Sequence, residues 1–114
     1  MTSKFKNVQL KFKLRCGIGG LGEDLYRQNR GDGMCSHCNV FESLKHFILY
    51  CPLYATERQK LYHGINNVCG SDMFNLFLQN DDFAILMLLG DHDDNFNELF
   101  LDYLGPAWTL RNAS

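Results

Sequence analysis

A mainly α-helical fold is what three features of the chain predict. Apolar residues recur at helical spacing in several segments, Leu44, Phe47 and Ile48 among them. A Cys-x2-Cys pair, Cys35 and Cys38, is followed by His46 and Cys51, a grouping that reads as metal-binding. The chain has 114 residues, short enough that a metal staple matters to its stability. The predicted class is therefore a small zinc-stabilised domain, with a Cys-x2-Cys knuckle followed by short packed helices. It divides into a basic N-terminal segment (1–34), a CCHC zinc-binding module (35–65) and an acidic helical tail (66–114).

Residues 8–16 alternate strictly, with Val8, Leu10, Phe12, Leu14 and Cys16 on one face and Gln9, Lys11, Lys13 and Arg15 on the other. That period predicts a half-buried strand with Cys16 in the core. Lys, Leu and Arg also favour helix, so a helix stays open. Gly17, Gly19, Gly20 and Gly22 make a turn; no Lys-Ser/Thr follows them to form a phosphate loop. Residues 21–29 read as a short helix, with Glu23 and Asp24 at its positive end. Arg30-Gly31-Asp32 falls in a loop, and three residues do not make an adhesion motif.

A helix is expected from Glu42 to Tyr50, ending near Cys51, and a second from near Pro52, because proline fits a first turn but not a helix interior. The second helix sets Leu53, Leu61 and Ile65 inward, with Glu57, Arg58 and Lys60 outward, and Gly64, Asn66 and Asn67 loosen the chain after it. Ser71 or Asp72 caps the next start. The run Phe83 to Leu89 is strand or buried helix; its period does not decide. Phe96, Leu99, Phe100 and Tyr103 keep helical spacing until Gly105-Pro106 ends the element.

The net charge of −2 conceals two opposite halves. Residues 1–60 hold ten of the eleven Lys and Arg with five acids, a net +5; the rest hold Arg111 with eight acids, a net −7. The basic half suits phosphate, and equally suits the acidic half of its own fold. No apolar run exceeds seven residues, against the roughly 20 of a membrane span. The N-terminus lacks the apolar core of a secretory signal, so an intracellular chain (cytoplasm or nucleus) with free thiols is expected.

Cys35-x2-Cys38-x7-His46-x4-Cys51 has the grammar of a tetrahedral zinc site. The close pair forms a knuckle, and a helix and its end supply the other two ligands. His46 and Cys51 are five residues apart, about 140° around an α-helix. They meet at one ion only if the helix unwinds before Cys51, which Pro52 favours. His37 lies between the cysteines, where ring strain disfavours it, and His63 and Cys69 are substitutes. A thioredoxin-like redox pair would need a βαβ setting that the sequence lacks. Four protein ligands leave no position for water or substrate, so the ion is structural rather than catalytic. A zinc hydrolase would need an open site.

Leu14-Arg15, Leu21, Leu25-Tyr26-Arg27, Cys35, Cys38, Glu42, His46-Phe47, Cys51-Pro52-Leu53-Tyr54, Arg58 and Leu61 form a longer pattern. It resembles the C-terminal zinc-binding region of non-LTR retrotransposon (LINE-type) reverse transcriptases, over roughly residues 9–104. In that family the segment before the cysteines tends to be helical. The resemblance implies an RNA- or DNA-binding module. Phosphate contacts would fall to Lys4, Lys6, Lys11, Lys13, Arg15, Arg27 and Arg30, with Tyr26 or Phe41 stacking on bases. Neither Asp81-Asp82 nor Asp93-Asp94 has the aromatic-x-Asp-Asp setting of a polymerase, and no endonuclease or RNase H carboxylate set is present. A tail without its enzyme is expected, with no membrane or small-molecule partner. The alternative is a structural or protein-interaction module of a decayed element.

Overall fold

The computed structural model describes residues 4–90 and 93–113, with side chains from Lys6 onward. It is mainly α, with no strand among the described residues. Helices α1 (Lys4–Arg15) and α2 (Gly22–Arg27) precede the cysteine loop. A π-helical turn (His46–Tyr50) and a 3-10 turn (Pro52–Tyr54) lead into α3 (Ala55–Gln79). Helices α4 (Asp81–Leu89) and α5 (Asp94–Ala113) complete the chain. Asn80 caps α4 by accepting from Phe83 N at 3.0 Å, and Asp93 caps α5 by accepting from Asn95 N at 2.8 Å.

The alternation at 8–16 does not make a strand. In helix α1 the buried residues are Asn7, Lys11 and Leu14, at i, i+4 and i+7, while Val8 and Phe12 are about half exposed. Cys16, expected in the core, is exposed just past the helix end. A strand here would have no partner to hydrogen-bond, whereas the helix lays Asn7 and Lys11 against α5 and the end of α4. The apolar run 83–89 is likewise helix, burying Ala84, Leu88 and Leu89.

Helix α3 runs through Gly64, Asn66 and Asn67 without loosening. At Gly64 α5 comes close: a Cβ there would stand 2.5 Å from Leu99 Cδ2. The break comes at Gly70, whose φ of 83° and ψ of 170° only glycine adopts easily. The chain turns back there, so Phe74 and Phe77 pack on the Tyr62 ring, with centroids 6.0 and 5.6 Å away.

Gly105-Pro106 does not end α5, which continues to Ala113. Pro106 lies on the exposed face with Asp102, so the carbonyl it leaves unpaired can be hydrated. Beyond it the helix is held by tertiary contacts: Trp108 meets Phe47 edge-on at 5.6 Å, and Arg111 reaches Glu42. The core joins Phe47, Ile48, Tyr54, Leu61, Ile65, Phe100, Leu101 and Leu104 to the buried Cys35 and Cys51.

Candidate metal centre

The cysteine loop is a small hairpin docked on α2. Cys35 N donates to Val40 O at 2.6 Å, and Asn39 N returns to Cys35 O at 3.0 Å, closing the turn that carries both Cys35 and Cys38. Asn39 takes a left-handed φ of 56°, which its short polar side chain tolerates. Glu42 N donates to Gly33 O at 2.7 Å, fixing the hairpin's far end. Gly22 lies so close beneath that an added Cβ would stand 2.5 Å from Gly33 O.

Ser43 Oγ accepts from His46 N at 3.0 Å and starts the helical turn that bears the histidine. That turn then widens into π register, and Cys51 N donates to His46 O at 2.7 Å. An α-helix sets residues five apart well out of line; the i-to-i+5 bond brings His46 and Cys51 back to one side. The chain departs from helix at Cys51 itself (φ −64°, ψ 123°), the conformation that a following proline imposes. The expected unwinding takes the form of a π turn.

The donor atoms of Cys35, Cys38, His46 and Cys51 all lie within 4.8 Å of one another. The sulfurs of Cys35 and Cys51 are 3.9 Å apart, and those of Cys38 and Cys51 3.7 Å. Metal–sulfur bonds of about 2.3 Å in a tetrahedron put sulfurs about 3.8 Å apart, whereas a disulfide would hold them at about 2.05 Å. His46 Nε2 is buried without a hydrogen-bond partner, although buried imidazole nitrogens are ordinarily satisfied. The set fits a metal ion: Cys51 Sγ lies at tetrahedral spacing from the other two sulfurs, and one nitrogen lacks a partner.

Burial sets the protonation of the donor groups. Burial pushes the Cys51 thiol up to about 12 and also raises Cys38. Burial lowers His46, with Arg58 adding to the effect and Glu42 opposing it. Burial thus favours the neutral forms of Cys38, Cys51 and His46. A divalent cation reverses the balance for sulfur, because it binds thiolates and expels their protons.

Two flanking groups have buried roles that the sequence reading did not assign. Arg58, expected outward, is buried; its Nε donates to Ile48 O at 2.9 Å and its Nη2 to Cys51 O at 2.8 Å. It clamps both ends of the segment that delivers Cys51. The signal was present, because Arg58, Leu61 and Ile65 stand at i, i+3 and i+7, one helix face. Glu42 is buried too, accepting from Gly22 N at 2.6 Å and from Arg111 Nε and Nη2 at 2.9 and 2.7 Å. Its partner lies 69 residues away, and no local pattern announces the pair.

The seven expected phosphate contacts scatter. Lys11 is buried, its Nζ donating to Gly90 O at 3.2 Å and to Asn97 Oδ1. Arg15 Nη1 donates to Leu89 O at 3.1 Å. Both therefore serve the negative end of α4. Arg27 bonds Asp24 at 2.7 Å yet keeps more than half of its side chain exposed. Arg30, Lys6 and Lys13 are exposed, and the Lys4 side chain lies outside the described residues. Tyr26 and Phe41 meet edge-to-face at 5.7 Å, both about half exposed. His63 and Cys69 lie outside the four-residue cluster.

No protein-family model matches this chain, and neither a curated protein nor a solved structure matches it. No helix among the described residues is long and apolar enough to cross a membrane.

Proposed function

We propose that Cys35, Cys38, His46 and Cys51 hold one structural zinc ion, and that the chain is a non-catalytic nucleic-acid-binding module. The carrying observation is the sulfur spacing of 3.7 and 3.9 Å, the edge length of a zinc–thiolate tetrahedron, beside an unpartnered His46 Nε2. Zinc is the choice among metals because a set of three thiolates and one imidazole suits it. All four coordination positions are taken by protein, so the ion staples the hairpin to the π turn rather than activating water.

Single-stranded RNA or DNA is the proposed partner. The exposed Tyr26–Phe41 pair offers aromatic surface for a base, and the exposed Arg27 and Arg30 lie close to Tyr26 in sequence. The resemblance to the C-terminal region of retrotransposon reverse transcriptases supports the same reading. One observation favours a purely structural module instead: Lys11 and Arg15 are engaged with the acidic half. Native mass spectrometry should find one zinc per chain, and none in Cys51→Ser. Fluorescence anisotropy of a labelled oligonucleotide across a salt series then separates the readings. Absence of binding at low salt, or binding without a salt slope, sinks the nucleic-acid reading.

A further inference from the structure

The cysteines of the metal centre differ in how far solvent reaches them. Cys35 and Cys51 are buried, at 3% and 0% exposure, whereas Cys38 is partly exposed in the turn of the hairpin. Cys51 Sγ neighbours both of the other sulfurs, 3.7 Å from Cys38 and 3.9 Å from Cys35. Cys38 and Cys51 also come from the two segments that a shared ion would join, the hairpin and the end of the π turn. The remaining cysteines, Cys16 and Cys69, stand outside the cluster. A zinc-bound cysteine is a thiolate, and the thiolate is the nucleophilic form of the side chain. One thiolate of the set is therefore open to a small oxidant, with a shielded sulfur beside it.

We propose that Cys38 is a peroxide-oxidation site and that Cys51 resolves it, so that hydrogen peroxide exchanges the metal for a Cys38–Cys51 disulfide. The inference rests on the zinc reading above and adds a modification site to that centre. The Cys38 thiolate attacks one peroxide oxygen: an S–O bond forms, the O–O bond breaks, and the departing hydroxide takes a proton from solvent to become water. The sulfenic acid that results lacks the thiolate charge that zinc requires. The Cys51 thiolate then attacks the sulfenic sulfur: the S–S bond forms, the S–O bond breaks, and a second hydroxide leaves as water. The two sulfurs lose two electrons in all, the peroxide gains them, and the metal departs as Zn2+. A Cys35–Cys38 bond would lie within the hairpin and leave the π turn untied, whereas Cys38–Cys51 keeps the two segments joined once the ion has gone.

The full chain is prepared as Cys16→Ser/Cys69→Ser, which leaves the three ligand cysteines as the only thiols. Native mass spectrometry first counts its zinc. Hydrogen peroxide is then added with a chelating dye that reads released metal, and the product is digested. Trypsin cuts after Arg30, Lys45 and Arg58, so a Cys38–Cys51 bond joins peptides 31–45 and 46–58, while a Cys35–Cys38 bond stays inside one peptide. Zinc should be released with about one peroxide consumed per ion, and a thiol reductant should restore zinc binding. Fragmentation of the joined peptides should place the bond at Cys38, and a 1,3-dione present during the reaction should trap the sulfenic acid on Cys38. Zinc retained under excess peroxide, a dione adduct on Cys35 or Cys51 in place of Cys38, or a disulfide mapped to Cys35 overturns the inference and leaves the zinc reading standing. A reduced chain that holds no zinc sinks that reading, and this inference with it.

Discussion

Replacing Arg58 by methionine tests whether the π turn is held from outside. Arg58 is buried, and its two donors reach the carbonyls of Ile48 and Cys51. Hydrogen bonds from a charged group contribute about 1.5–3 kcal/mol each, so two give roughly 3–6 kcal/mol. Two effects reduce that figure. Methionine relieves the burial of a charge, and both carbonyls keep weak second donors, Tyr103 Oη at 3.4 Å for Ile48 and Tyr54 N at 3.3 Å for Cys51. A loss of about 3 kcal/mol is expected. Urea unfolding of the zinc-loaded protein reads it as a midpoint drop of roughly 1–3 M, at slopes of about 1–3 kcal/mol per M. Arg58→Lys should recover less than half, since one ammonium lacks the planar fork that spans two carbonyls. Zinc affinity should fall in parallel, because the turn positions His46 and Cys51 together. Lys60→Ala, an exposed control on the same helix, should stay within about 0.5 kcal/mol. A midpoint within error of wild type for Arg58→Met, with unchanged zinc affinity, would refute the reasoning.

Zinc removal by a chelator should unfold the hairpin and π turn, because structural zinc contributes about 10–16 kcal/mol, comparable to the roughly 5–15 kcal/mol of a whole domain; circular dichroism and amide exchange of residues 33–54 check it. Zinc affinity should rise steeply with pH: burial raises Cys38, and Cys51 to about 12, so their protons must leave for the metal to bind. Cys38 and Cys51 each release a proton when zinc binds, and His46, held low, adds none near neutrality; competition titrations at pH 6, 7 and 8 that give a flat profile would contradict this. Gly70→Ala should destabilise by about 1–3 kcal/mol, the penalty of its backbone conformation, since a Cβ there meets nothing within 4 Å. A thermal melt should show the loss, and Gly→Ala at this site that stabilises would mean the kink is not kept in solution.

Spacing alone made the four metal-ligand candidates legible. Their separation along the chain reflects what one ion demands, and Pro52 marked where the helix must open. The mainly helical class was legible too, because Leu44, Phe47 and Ile48, and later Phe96, Phe100 and Tyr103, repeat the helical period on a buried face. Residues 8–16 misled because their apolar face by strand period is not the face that packs. Asn7 and Lys11 are buried through bonds to Leu101 and Gly90, about eighty to ninety residues away in sequence.

By itself, then, the sequence determined the candidate metal-ligand set, most helical segments and the opposition of a basic and an acidic half. Tertiary structure decided how those halves meet. Lys11 and Arg15 are drawn to the carbonyl end of α4, Arg58 to the π turn, and Arg111 to Glu42 across the breadth of the fold. It also decided that α5 outlasts Pro106, since Trp108 and Arg111 have partners waiting in the core and at the knuckle. Local preference sets only where a helix is easy to end. A partner brought close by the rest of the chain sets where it does end, because burying a polar or aromatic side chain against it outweighs one missing backbone bond.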